Sequence, residues 1–347
     1  MGAVSPAGWS MADFRGALEK NVPLSAQTVT RPGLEQSLAE RAVPPVASRS
    51  GLLTHSRLRR ATAIAQHTVA AALEAIGGDF AKVQRGEMRL GIIVGAITGC
   101  VTYSRRFYEE VLREPGTASP LIFPETVFNS PASHLASVLG TNQAGYTLVG
   151  DDGTFAQGLG LAAEWLLEDG LDGCVVVGAE ENDWITADAI RLFQRRVIHG
   201  AGAGAVYLKK SPAGALAELV AITDSFSFTH TQGRLRAAEK MRSQLPPARS
   251  NELLCGSAQN IPRLDEAENS AWKDWNGGRV SPKAIFGEAF VAAAGWQCVA
   301  ACDAIARGDF SAANVSIVGV NQQAIGARFC RVKKEDGLFG PISGLRE

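Results

Sequence analysis

Two stretches constrain this chain most, Thr154 to Leu167 and Gly287 to Ala306. Each is dense in Ala and Gly and apolar nearly all round, which is how a helix reads when it is covered on every side. Each begins at a carboxylate, Asp152 or Glu288. Each is followed by a glycine-containing turn and a strand of the Val-Val-Val or Val-Ser-Ile-Val type. A helix without a polar face needs a layer on both sides. Two such units therefore predict a layered α/β/α/β/α fold of two pseudo-repeated halves, 1–210 and 211–347, about a central helix pair.

The chain of 347 residues is 46% hydrophobic and carries a formal charge of −1. A sizeable core is affordable, and neither nucleic acid nor an anionic membrane is expected as main partner. Arg57, Arg59 and Arg60 read as a solvated helix face, with a phosphate-binding patch as the alternative. No eighteen-residue apolar run offers a membrane span. The start lacks the basic and apolar regions of a signal peptide. Six cysteines, Cys100, Cys174, Cys255, Cys298, Cys302 and Cys330, fit neither a zinc site nor a disulfide framework. A reducing cytoplasm is the expected compartment, with no cofactor and no metal.

Residues 1–56 are expected to cover the fold irregularly, with one short helix near Met11 to Leu18. Helices are expected over 55–77, 101–114 and 129–140, and strands over 89–99, 146–150 and 175–177. The runs 201–210 and 215–228 read as two strands that could pair. Residues 268–275 read as helix, 283–310 as one long helix, and 314–332 as strand, turn, strand.

Several motifs resemble β-ketoacyl-acyl-carrier-protein synthases, the ketosynthases of the thiolase fold. The start "MGAVSPAGWSMADF" is similar to that family's G-x-x-S-P-x-G loop, and the helix beginning at Asn129 to its Asn-containing helix. Gly178-Ala179-Glu180 resembles Gly-Gly-x-Glu. Lys283 and Gly287 resemble K-x-x-x-G-H, and the run from Asn321 to Gly326 resembles the glycine-rich N-S-F-G-F-G-G loop. The family has a strand before its first loop. With Met1 almost on the motif, that strand is expected to be missing, or the start codon to lie upstream.

The resemblance implies a Cys-His-His site, and each position is substituted. Spacing from Glu180 places Asp152 at the nucleophile. Lys283 plus five places Glu288 at the second histidine. Cys255-Gly256-Ser257 resembles the loop of the first histidine, which puts Cys255 there, although the following D-x-x-E is shifted. Asp152 is readable as a helix cap, a charge mimic of a thiolate, or a catalytic group. Glu288 is readable as a cap, an ion-pair partner of Lys283, or half of a paired-carboxylate site. Cys255 is a relocated nucleophile or an inert buried thiol. Ile325 takes the place of a gating phenylalanine, with Asn321 and Gly326 beside it along the implied acyl channel. His134 reads as a core or surface histidine.

The family implies a dimer through a strand near Thr147 to Gly150, and an acyl carrier protein or acyl thioester as partner. Three functions fit. The first is a condensation-inactive subunit resembling the chain-length factors of polyketide and aryl-polyene systems, paired with an active ketosynthase. The second is an enzyme with a rebuilt Asp/Cys/Glu site, acting on acyl thioesters as acyltransferase, hydrolase or decarboxylase. The third is a homodimeric acyl-binding pseudoenzyme.

Overall fold

A computed structural model describes residues 1–33, 37–45, 55–247, 249–320 and 322–332. The first part of the chain runs β1 (Gly2–Val4), α1 (Met11–Lys20), β2 (Gln27–Thr30), β3 (Ser37–Arg41), α2 (Ala63–Ile76), α3 (Phe80–Gln84), β4 (Leu90–Ala96), α4 (Val101–Arg113), α5 (Ser130–Leu139), β5 (Gly145–Val149), α6 (Thr154–Leu167), β6 (Gly173–Glu180), α7 (Trp184–Phe193), β7 (His199–Gly200) and β8 (Gly202–Leu208). It continues with β9 (Glu218–Ile222), β10 (Phe226–Ser227), α8 (Thr231–Ser243), β11 (Glu252–Cys255), α9 (Pro262–Ala271), β12 (Gly278–Val280), α10 (Pro282–Phe286), α11 (Phe290–Arg307), β13 (Ala312–Val318) and β14 (Gln323–Cys330).

One sheet has the order β1-β8-β6-β4-β5, the other β10-β14-β13-β11-β12, with β9 added on β14. Side chains alternate between two covered faces. In the first sheet Ile93 and Val176, partners across β4 and β6, point to the central layer of α6 and α11. Ile92, Val94, Val175 and Val177 point the other way, to α2 and α5. Covering on both faces is why these strands read as unbroken apolar runs. The second sheet packs on α11 through Val315, Ile317, Ile325 and Phe329, and on α8 and α9 through Leu254, Val318 and Ala324. The order is helix, sheet, helix, sheet, helix.

The central layer sits tight because glycine lets backbones touch. A Cβ on Gly204 of β8 would lie 2.4 Å from the carbonyl carbon of Gly295 in α11.

Several expectations are corrected. The first residues of the loop motif are themselves a short strand: Gly2–Val4 pairs antiparallel with Ala203 to Ala205. The runs after 201 and 215 do not pair, since β8 lies in the first sheet and β9 on β14 of the second. The helix expected from residue 55 begins only at Ala63, capped by Thr62, whose hydroxyl accepts from Ala65 N at 3.3 Å. Arg57, Arg59 and Arg60 therefore lie in exposed turns, not on a helix face. The long helix expected from residue 283 is broken at Gly287, whose φ of 92° no helix admits.

Candidate functional site

The first half brings two adjacent carboxylates to the head of α6. Asp151 and Asp152 follow β5, and their carbonyls accept from Thr154 N at 3.0 Å and Phe155 N at 3.2 Å to start the helix. The Asp152 side chain is fully buried. It caps nothing: Oδ2 accepts from Lys283 Nζ, and Oδ1 has no hydrogen-bond partner among the described residues.

The second half supplies Lys283 from α10 and Glu288 from the break before α11. Lys283 Nζ also donates to the Glu288 carboxylate at 3.0 Å. Glu288 Oε1 accepts from Phe290 N at 2.9 Å, so this carboxylate is helix cap and ion-pair partner at once. Gln259 Nε2 donates to its other oxygen. Its backbone is clamped by Ile198 O, which accepts from Glu288 N at 2.9 Å, and by Gly200 N, which donates to Glu288 O at 2.8 Å. Asp152, Lys283 and Glu288 thus meet across the halves, none with exposed surface on its side chain.

Burial dominates the electrostatics. It raises the Glu288 carboxyl, the Asp152 charge raises it further, and Lys283 opposes both. Burial would pull Lys283 down, but Asp152 and Glu288 together outweigh it and hold the ammonium protonated. Asp151 is pushed up to about 6, by burial and then by Asp152. Glu180, at the end of β6, is pushed up to about 8 by burial, although Ile97 N donates to it at 2.7 Å. One ammonium therefore serves two carboxylates, with two further acids close by.

Three expected positions need correction. Cys255 does not join the cluster. Its thiol lies in the apolar core with Cys298 and Cys302 of α11, and burial pushes it up and away from the thiolate form. The loop after β11 instead delivers Gln259, four residues further on. The shifted D-x-x-E was the available signal: Asp265 accepts from Gln259 N at 2.9 Å and Ile261 N at 2.8 Å, and Glu268 from Ser257 N at 2.8 Å. These carboxylates fix the loop that carries Gln259. Ile325 is no loop residue but a strand residue opposite Ile317, packed in the central core. Gly326 faces away from the centre, where a Cβ would meet Leu245 and Met241 of α8 at 2.9 Å. Asn321 lies outside the described residues.

Gln323 was missed. Its backbone N donates to Asp151 Oδ2 at 3.1 Å and its amide to Asp151 Oδ1. Its own carbonyl accepts from Gln157 at 3.2 Å and from Ser225. A Cβ on Gly153 would lie 2.6 Å from its amide carbon, so this side chain lies over the head of α6. A cleft of about 140 Å³ opens beside Lys283, lined by Arg41, Arg196, Gln259 and Gly287, but Asp152 does not line it.

No family model matches the sequence, and no curated protein matches it. Solved structures do match. The ishigamide ketosynthase/chain length factor superposes with TM-score 0.77 at 16% identity, over 96% of this chain and 98% of that one. This chain has the ketosynthase fold. A ketosynthase solved with its chain length factor from Xenorhabdus doucetiae gives 0.76 at 12% identity over 95% and 96% of the two chains. A β-ketoacyl synthase from Burkholderia phymatum gives 0.73 at 14% identity over 96% and 98%. In each case the superposition takes in at least 95% of both chains. Among the described residues no helix is long and apolar enough to cross a membrane.

Proposed function

We propose that the chain is a ketosynthase-like subunit of fatty acid or polyketide biosynthesis that does not condense, and that it pairs with an active ketosynthase as chain-length factors do. One observation carries this reading: Asp152, at the position inferred for the family's cysteine, is fully buried and ion-paired to Lys283. A carboxylate so held has no approach to a thioester, and the mixed anhydride it would form is a poor store of acyl groups. The second histidine position holds Glu288, which as an anion accepts hydrogen bonds and cannot donate one to an enolate oxygen.

The surface supports pairing. β5 is the edge of the first sheet, with Tyr146 and Val149 each more than half exposed. Leu121 and Phe123 are exposed on the same half of the chain. An unpaired apolar edge calls for a covering strand. The partner ketosynthase supplies the thiol and receives the acyl carrier protein. Two of the structural neighbours are described as ketosynthase–chain length factor pairs. The rebuilt-enzyme alternative is less well supported, since neither Asp152 nor Cys255 offers an accessible nucleophile.

The test is incubation of the purified chain with an acyl-carrier thioester, followed by intact mass, and co-expression with candidate ketosynthases followed by native mass spectrometry. Expected are no acyl adduct on residues 146–160 and a mixed dimer. A stable acyl adduct on residue 152 or 255 would overturn the reading.

A further inference from the structure

We infer that Lys283 and Asp152 become joined by an intramolecular amide bond, with Glu288 as the proton relay. The amine nitrogen of Lys283 lies in direct contact with one carboxyl oxygen of Asp152, and both side chains are without exposed surface. A second carboxylate, Glu288, stands 3.0 Å from the same nitrogen and is held there by Phe290 N and Gln259. The other Asp152 oxygen is buried and has no partner among the described residues. Residues 151–156 and 285–289 are buried throughout. The site therefore holds an amine, a carboxyl group and a base with no exposed surface on their side chains, and the cleft that Lys283 and Gln259 line offers the released water a way out.

The chemistry balances without any co-reactant. Glu288 takes a proton from the ammonium and returns it to a carboxyl oxygen of Asp152, and the freed lone pair attacks Cγ of the resulting neutral acid. The tetrahedral carbon then expels one oxygen, which carries away that proton and a second one from nitrogen, so that one water leaves. Glu288 ends as it began. The product is a neutral amide whose N–H donates to Glu288. Two effects favour it. Fixed contact replaces a bimolecular encounter, for which well-oriented intramolecular reactions reach effective concentrations of about 10⁵–10⁸ M. The reaction also removes two opposite charges from an interior where each is costly to keep. The amide would tie residue 152 to residue 283 and so staple one half of the fold to the other.

The inference stands apart from the partner reading. Full sequence mass overturns the amide alone, and failure to bind any ketosynthase leaves the amide intact. The experiment is denaturing intact mass of the purified full-length chain, then protease digestion and peptide sequencing by mass spectrometry. Expected is a chain lighter by one water, with a branched peptide joining the segments around residues 152 and 283. Lys283→Arg should restore the full sequence mass, and Glu288→Gln should prevent or strongly slow the loss. Full sequence mass in the folded wild type overturns the proposal. So does a water loss confined to a linear peptide at Asp152-Gly153, which marks cyclisation onto the backbone instead. A branched peptide undiminished in Glu288→Gln overturns the relay assigned to Glu288. If either variant fails to fold, the wild-type branched peptide alone decides.

Discussion

Asp152→Cys returns a thiol to the head of α6 but leaves Lys283 and Glu288 in place. The family reaction needs a donor where Glu288 presents an acceptor, and loss of one such donor typically costs about 10²–10³ in rate. The single variant is therefore expected to show no condensation and no decarboxylation of malonyl thioester at ordinary ketosynthase rates, as read by carbon dioxide release. Release at such rates would contradict the site reading. Glu180 gives a second residue-scale prediction. Its folded value of about 8 stands above the ordinary 4.5. Between those values the folded chain keeps a proton that the unfolded chain has lost, so this stabilisation is complete below about pH 4.5 and is lost as pH rises toward 8. His67, lowered by burial from 6.5 to about 4, acts with the opposite sign below pH 6.5. Between pH 6.5 and 8 His67 no longer contributes, but the amino terminus, lowered by burial from 8.0, adds stability as pH rises. The Glu180 contribution is therefore read as a difference: the melting temperature of wild type relative to Glu180→Gln should fall as pH rises from 6.5 to 8, and a difference that rises or stays flat through that window would refute the assignment.

Glu181 works at the scale of elements. Its two oxygens accept from Ile64 N at 3.0 Å and Thr102 N at 2.8 Å, the second residues of α2 and α4. One carboxylate thus caps two helices and sets their heads side by side. Glu181→Ala should cost about 2–4 kcal/mol in a denaturant titration, since a cap is worth about 1 kcal/mol and each stranded buried N–H adds to the loss. The strands β4, β6 and β13 were legible in the sequence because burial on both faces leaves an unbroken apolar run. α8 was not, because its buried apolar stripe is short, Ala237, Ala238 and Met241, and it buries Arg234 beside them. β11 was too short to show a pattern. At the site, Asp152, Lys283 and Glu288 could be placed because each hangs at a fixed distance from a strand end or a helix break. Gln259 and Gln323 could not. The first depends on the length of a loop. The second depends on a two-residue period, which turns Gln323 and Ile325 toward the centre and Gly326 away from it.

At the scale of the molecule, the halves are held by the backbone contact of Gly204 with Gly295 and by the Asp152–Lys283 pair. Lys283→Met leaves Asp152 and Glu288 buried without the amine that joins them, whether by charge or by the amide, and should cost at least about 3–5 kcal/mol, the usual penalty for removing one partner of a buried pair, as measured by chemical unfolding. Assembly should bury more than about 2,000 Å² if the partner is obligate. Val149→Lys, at the exposed end of β5, should shift size-exclusion profiles toward monomer. A wild-type chain that stays monomeric at micromolar concentration would refute edge pairing.

The open edge at β5 also bears on supply. A strand whose N–H and C=O groups await a partner offers the same template to any extended chain nearby. On the proposed pairing with a ketosynthase, the cell has to match the two subunits in number, because surplus copies can only pair with one another, aggregate or be degraded. Expressed alone, the chain should then give a lower soluble yield. Expressed beside a ketosynthase that it binds, its soluble amount should rise with that partner and level off at one to one, which quantitative immunoblotting of both subunits across a range of induction levels would reveal.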